Sequence, residues 1–258
     1  MTRSADDTAG VFFTGTDTGV GKTFIAAGLA ALLKSRGLDV GVIKPIETGC
    51  EGAPGSLVPS DGLILAAAVG IPDPLDDIAP FRFARSLAPL AAAEEVGEAM
   101  DYSSILAACR KIIDRHAFTI VEGAGGVLVP IVRGRFNADL IRDLGLPCIV
   151  VAANRLGCIN HTLLTLEALK ARSIPIAAVI LNEPVGSPDA VPAECASAPD
   201  MSRNAQDIAS LTDVPVLGSV PTMDLALSPG DLGGLAAHLA SHLDMDLLIE
   251  RLGMAGRV

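Results

Sequence analysis

Thr14-Gly15-Thr16-Asp17-Thr18-Gly19-Val20-Gly21-Lys22-Thr23 is the stretch whose reading decides the fold. Before it lie Val11-Phe12-Phe13, apolar and strand-like; after it Ile25, Leu29, Leu32 and Leu33 recur at helical spacing. A glycine-rich turn between a strand and a helix, ending in Gly-Lys-Thr, predicts a phosphate-binding loop. Small residues let successive backbone N–H groups wrap phosphate oxygens, and the helix N-terminus adds a favourable dipole. Lys22 is expected to reach the β- and γ-phosphates and the Thr23 hydroxyl to ligate Mg²⁺. Five residues rather than four separate Gly15 from Gly21, so the loop is a lengthened variant.

Working outward, short apolar runs keep alternating with longer helical segments. Val40-Gly41-Val42-Ile43, Thr119-Ile120-Val121, Cys148 to Ala152, Ala177 to Leu181 and Val216 to Val220 read as strands. Ile105, Ile112 and Ile113 mark a helix running into the Thr119 strand, and Ser60-Asp61 starts another after the Gly/Pro/Ser-rich loop from Cys50. Pro184, Pro188, Pro192 and Pro199 break up a long connection that no single regular element can span. Strands that are apolar throughout predict a sheet covered on both faces, and strand-then-helix order predicts parallel connections. The expected fold is a three-layer α/β/α arrangement with a mostly parallel sheet, of P-loop NTPase type. It would form one domain over 11–258 behind a flexible tail over 1–10. In such sheets ligands sit at the carboxyl ends of the strands.

Composition narrows the function. The 258 residues are 50% hydrophobic and 19% charged, which excludes a disordered chain. The longest apolar runs have strand length, short of the roughly 20 residues of a membrane-spanning helix. Nineteen basic against 30 acidic residues give a formal charge of −11, which argues against general binding to nucleic acid or anionic membrane. An anionic ligand therefore needs a local site that overrides the global field. Cys50, Cys109, Cys148, Cys158 and Cys195 form no CxxC pair and no zinc spacing, which predicts reduced thiols in a cytoplasmic compartment. The polar stretch Met1 to Gly10 has no secretion-signal core.

Further polar clusters follow strands. Val121-Glu122-Gly123-Ala124-Gly125-Gly126 puts a carboxylate suited to a metal before small residues that allow close backbone approach to a ligand. Lys44-Pro45-Ile46-Glu47-Thr48-Gly49 offers a lysine that would stabilise charge on a transferring phosphoryl group, against the commoner case of a solvated strand-end lysine. Placed there, Lys44 is expected to matter more for chemistry than for folding. Asp61 reads either as a helix cap or as a metal ligand. His116, His238 and His242 lack a third ligand and read as ordinary histidines, as the pairs Asp76-Asp77 and Glu94-Glu95 read as solvated. Asp17 stands where switch-type P-loop proteins often carry a second lysine, and a carboxylate cannot supply cationic help to a γ-phosphate.

Together these segments resemble the dethiobiotin synthetase family, from about Phe12 to Pro221 and in matching order. The loop is close to the family's lengthened variant; Lys44-Pro45 to Gly49, Ser60-Asp61, Val121 to Gly126 and Leu156-Gly157-Cys158-Ile159-Asn160-His161 follow. The resemblance implies an ATP-dependent cyclo-ligase that makes the ureido ring of dethiobiotin from 7,8-diaminononanoate, CO₂ and ATP, with Mg²⁺, in biotin biosynthesis. It implies Mg²⁺ on Thr23, Asp61 and Glu122, and Lys22 with Lys44 as the catalytic pair. ATP would lie on Gly19, Val20, Gly21, Lys22, Thr23 and Phe24, on Asp61, and on Glu122, Gly123, Ala124 and Gly125. Asn182 and Glu183 would meet the adenine, with Pro221, Thr222 and Met223 lining its pocket. Thr18 and Thr48 would contact the diamine, and Gly157, Cys158 and Asn160 would reach it from the neighbouring subunit of a homodimer. Gly19 stands where some relatives carry Glu, which shifts the burden there to backbone contacts. The alternatives are an amidoligase of the corrinoid-synthesis kind, for which the chain leaves little room, and a nucleotide-switch ATPase, disfavoured by Asp17.

Overall fold

The lengthened loop is carried between β1 (Gly10–Gly15) and α1 (Lys22–Ser35) in the computed structural model, which describes residues 10–53, 55–71, 73–183, 201–223 and 231–256. Next come β2 (Val40–Ile43), β3 (Ile46–Thr48), α2 (Ser60–Ala68), α3 (Leu75–Ile78) and β4 (Phe81–Phe83). The middle of the chain forms α4 (Pro89–Glu95), α5 (Tyr102–Arg115), β5 (Phe118–Gly126), β6 (Pro130–Val132), β7 (Arg135–Phe136) and α6 (Asn137–Leu144). It ends with β8 (Cys148–Ala153), α7 (Cys158–Lys170), β9 (Ile176–Asn182), α8 (Asn204–Leu211), β10 (Val216–Val220), α9 (Leu232–His242) and α10 (Met245–Arg251).

Six strands form one sheet in the order β10-β9-β8-β1-β5-β2, and every pairing in it is parallel. Successive side chains of a strand point to opposite faces, and both faces are buried. Phe13 joins Ile25 and Leu29 of α1, with α2, α9 and α10 completing that layer. Phe12 points the other way, into the layer built by α5, α6, α7 and α8. That double covering is why the strands read as unbroken apolar runs. Two small sheets flank the main one: β3 pairs with β4 in parallel, and β6 with β7 antiparallel. Their strands are two or three residues long, too short for periodicity to reveal.

The register positions the functional side chains. Ile43 lies opposite Val121, so Lys44 follows at the level of Glu122. Val42 and Ile120, two residues earlier on each strand, face α1 in the core. Alternation therefore turns Lys44 and Glu122 toward α1 as well. Gly123, the next residue, faces Phe12, where a Cβ would lie 2.7 Å from the ring.

Gly10, assigned to the expected tail, opens β1 instead, and residues 1–9 lie outside the described residues, as do Cys195 and the proline-rich connection over 184–200. The other four cysteines are free and buried. Among the described residues, no helix is long and apolar enough to cross a membrane.

His116, read as an ordinary histidine, is partly buried and paired with two carboxylates. Its ring nitrogens meet Asp39 Oδ1 at 2.9 Å and Asp73 Oδ2 at 2.7 Å, and Arg115 ties Asp73 to Asp77 at 2.8 Å each. Burial pushes the imidazole pKa down, but hydrogen bonds and charges from Asp39 and Asp73 outweigh it and raise the pKa above 6.5. A pKa raised by folding stabilises the fold fully below the unfolded value, and that contribution is lost as the pH rises through the folded value. His116→Gln is therefore expected to lower the melting temperature more at about pH 5.5 than at about pH 9. Equal losses in thermal denaturation at both would show that the imidazolium charge contributes nothing.

Candidate active site

Glu122 is fully buried in the middle of β5, which runs beyond the strand end expected at Val121, and its Oε1 accepts from Thr23 Oγ1 at 2.9 Å and from Lys44 Nζ at 2.5 Å. Lys44 Nζ also donates to Asp61 Oδ2 at 2.5 Å. One ammonium thus joins β2, β5 and the first turn of α2. Burial pushes the Lys44 pKa down, but Glu122 and Asp61 outweigh it and hold the pKa above the usual lysine value. Burial pushes Asp61 up, and Lys44 more than reverses that. Lys44 is not the solvated strand-end lysine of the commoner case. Its removal would leave a buried carboxylate unpaired, so it matters for folding.

Lys22 behaves differently. Burial lowers its pKa to about 8, Lys44 adds to the shift, and Glu122, Asp61 and Asp17 oppose it. Its Nζ donates to the Asp17 carbonyl at 3.0 Å. The Asp17 carboxylate accepts from Thr18 N at 2.7 Å and from Arg155 at 3.3 Å, so it organises the loop and draws in a guanidinium from beyond β8. Gly21, at φ 91° and ψ 26°, is the N-cap of α1 and turns the chain into the helix through the left-handed region. A Cβ there would lie 2.1 Å from Asn182 Nδ2, because Asn182 crosses behind the loop to donate to the Val20 carbonyl at 3.1 Å.

Lys22, Thr23, Lys44, Asp61 and Glu122 line one cavity of about 800 Å³, joined by Thr18, Gly19, Gly21, Phe24, Ala124, Gly125 and Thr48. Ser86 to Pro89, ahead of and opening α4, form part of its wall, as do Glu47 and Val129. The Val20 side chain is in the core and Gly123 sits against Phe12, so both offer only backbone here. Asn182 is buried, whereas Glu183 is exposed and its carbonyl accepts from the exposed Thr222 at 2.6 Å. Pro221 and Met223 are half-buried, and His238 reaches the Pro221 carbonyl at 3.0 Å, close to the residues expected to line the adenine pocket. Gly157, Cys158 and Asn160 lie elsewhere, at the start of α7. Gly157 is the N-cap at φ 90°, Cys158 is buried with its N–H on the Arg155 carbonyl at 3.0 Å, and Asn160 is exposed in the first turn.

The oxygens gathered here form a donor set for a cation. Glu122 Oε2 is buried and has no hydrogen-bond partner, so an acceptor oxygen is left over beside the Thr23 hydroxyl and the Asp61 carboxylate. Among the described residues no three His, Cys, Asp or Glu gather at one point. Two carboxylates and a hydroxyl suit Mg²⁺, which keeps several waters and takes the rest of its shell from substrate phosphates. The residues fit the ion.

Sequence reasoning missed Glu47 and Arg155. Glu47, on β3, is 3% exposed and accepts from Asp61 N and Gly62 N at 2.9 Å each. Burial pushes its pKa up, and the two backbone donors pull it back in part. The available signal was a glutamate in a short apolar run, since a buried charge demands partners. α2 starts at Ser60 as expected, but its N-cap is Pro59, and Asp61 spends its side chain on Lys44 rather than on capping.

A family model described as an AAA domain matches residues 9–229. ATP-dependent dethiobiotin synthetase BioD of Anaeromyxobacter dehalogenans (strain 2CP-C) is 41% identical over 229 residues, covering 88% of this chain and 97% of that one. The protein of the same name from Bacillus licheniformis is 38% identical over 245 residues, covering 95% and 97%. Among solved structures, a ParA family ATPase from Chlorobium tepidum TLS aligns at TM-score 0.48 with 14% identity, over 96% of this chain and 99% of that one.

Gly21→Ala tests the loop geometry. A side chain in the left-handed region costs about 1–2 kcal/mol, and here it also meets Asn182. The variant is expected to fold with a lowered melting temperature and to bind ATP at least about tenfold more weakly, a loss of about 1.4 kcal/mol by calorimetry. Unchanged affinity would show that the Asn182–Val20 brace does not shape the phosphate site.

Proposed function

The chain belongs to the ATP-dependent dethiobiotin synthetase family, and on that premise we propose that it closes the ureido ring of dethiobiotin from 7,8-diaminononanoate, CO₂ and ATP through the side chains around Lys44. The observation that carries this reading is the buried Lys44 held between Asp61 and Glu122 beside the phosphate loop. An amine and CO₂ form a carbamate, whose oxygen is a poor leaving group. That oxygen attacks the γ-phosphorus and ADP leaves. The second amine then attacks the carbamate carbon, the C–O bond breaks and phosphate departs with the oxygen that came from CO₂. No covalent nucleophile on the protein is required, so positioning and charge neutralisation supply the catalysis.

Lys22 holds the β- and γ-phosphates, and the triphosphate drives its lowered pKa back up, since a nearby opposite charge favours the charged form. Lys44 faces the transferring phosphoryl group and the carbamate. Mg²⁺ held by Thr23, Asp61 and Glu122 would neutralise the charge on the phosphate oxygens. Thr18 and Thr48, which line the same cavity, hold the diamine near the γ-phosphate. Asn182, Glu183 and the Pro221 to Met223 segment take the adenine on the far side of the loop.

A homodimer completes the site. Leu128, Leu156 and Leu164 are 47%, 72% and 61% exposed. Leu128 and Leu164 border a groove of about 390 Å³ that also includes Pro130, His161 and, from the phosphate loop, Asp17 and Thr18. Apolar residues exposed that close to the site suit a second copy rather than water. The first turn of α7 would then give its N–H groups, its dipole and Asn160 to the carboxylate of the partner's diamine. The buried free cysteines and the charge of −11 suit a cytoplasmic enzyme with no nucleic-acid or membrane partner.

Mass detection of a cyclic urea from the diamine, ATP, Mg²⁺ and bicarbonate tests the activity; ATP turnover without that product contradicts it. Shared sites predict that Lys22→Ala and Asn160→Ala, each inactive alone, regain about a quarter of wild-type activity when co-expressed. Half of randomly paired dimers are mixed and one of their two sites carries neither defect. Confirmed mixed dimers with no activity would rule out sharing.

A further inference from the structure

Glu47 is nearly fully buried, yet none of the chemistry above uses it. Both its oxygens are engaged: Oε1 accepts from Asp61 N at 2.9 Å and Ser60 Oγ at 3.4 Å, and Oε2 from Gly62 N at 2.9 Å. These donors belong to the first turn of α2, which has no cap of its own. Pro59, at the N-cap with φ −82° and ψ 95°, offers no side-chain acceptor. The orphan N–H groups of a helix start are normally met from the N-cap residue itself. Here the acceptor comes from β3, 14 and 15 residues earlier in the chain.

The consequence lies in what the same segment does to the same residue. Lys44, three positions before Glu47, holds the Asp61 carboxylate at 2.5 Å while Glu47 holds the Asp61 backbone. The turn is seated closely: a Cβ on Gly62 would lie 2.9 Å from Ala79 Cβ and 3.5 Å from Glu47 Oε2. Thr48, the next residue on β3, lines the cavity with Asp61. We propose that Glu47 is a positioning residue that clamps the first turn of α2 to β3, so that the Asp61 carboxylate is presented to Lys44 and the nucleotide-bound cation at a fixed distance from Thr48. This rests on the reading of Asp61 as a cation ligand. Although Glu47 borders the cavity, both of its oxygens are taken up by the first turn of α2, so it acts through Asp61. Groups that orient a ligand in this way are worth about 10- to 100-fold in metal affinity or activity.

A helix cap with no functional consequence would give the same hydrogen bonds, so the test separates the two. Glu47→Gln loses one acceptor and sets an NH₂ group against an N–H. Pro59→Ser supplies a local hydroxyl in reach of the N–H groups of Asp61 and Gly62, the N2 and N3 positions. The single variants and the double variant are compared by melting temperature, by kcat and KM, and by Mn²⁺ affinity in the presence of a non-hydrolysable ATP analogue, read by electron paramagnetic resonance. Glu47→Gln is expected to weaken Mn²⁺ binding and lower kcat by about tenfold or more, and the double variant to regain melting temperature without regaining either. Glu47→Asp, which keeps both oxygens but falls one methylene short, should show the same loss and serves if Glu47→Gln does not fold. Recovery of Mn²⁺ affinity and kcat along with melting temperature in the double variant would overturn the proposal, as would unchanged Mn²⁺ affinity in both Glu47→Gln and Glu47→Asp. Because Mn²⁺ affinity is read without turnover, a wild-type chain that made no cyclic urea would count against the assigned reaction and not against the clamp.

Discussion

A carboxylate as buried as that of Glu122 costs several kcal/mol to remove from water unless a cation and hydrogen bonds compensate it. Lys44 is that compensation, and the surrounding structure follows from the need to bring it there. The parallel register sets Lys44 level with Glu122, and strand alternation turns both toward α1, where Thr23 waits. The second carboxylate, Asp61, must then be delivered from another element, because the two strands have no further side chain at that level and face. α2 brings it in, held by Glu47 from below and by Lys44 at its tip.

The pKa values of the two lysines of the site are shifted in opposite directions. Lys44 is fixed as a cation by two neighbouring carboxylates, while Lys22, buried beside it, is lowered to about 8. Near neutral pH Lys22 still carries its charge for most of the time, and an anion entering the loop favours that charged form further. Repulsion from the overall charge is overcome by a few buried groups whose ionisation depends on one another.

Much of this was legible in the sequence, and the reasons are physical. β10 was readable to its ends, Val216 to Val220, because a short segment that begins and ends in valine is bracketed by Pro215 and Pro221. Lys22, Thr23, Lys44 and Asp61 were recognisable because each follows a strand or opens a helix at the carboxyl edge of a parallel sheet, where ligands bind, and Glu122 because it follows the apolar run Thr119-Ile120-Val121 within β5. What remained hidden depends on contacts distant in the chain. Asp17 and Arg155 are 138 residues apart, and neither gives a local sign of the other. Glu47 was in view within a quoted motif, but its role depends on the missing cap at Pro59. His238 read as an ordinary histidine, and its contact with the Pro221 carbonyl depends on α9 folding back onto that segment. The pairs β3–β4 and β6–β7 are too short to carry a period at all.

The central claim is that this cluster joins a carbamate oxygen to the γ-phosphoryl group. Its most direct test follows the oxygen. With ¹⁸O-labelled CO₂ and unlabelled ATP in the first turnover, the phosphate released with each cyclic urea should carry one ¹⁸O, because the bond broken at ring closure lies between carbon and the transferred oxygen. Cyclic urea formed together with unlabelled phosphate would contradict the account.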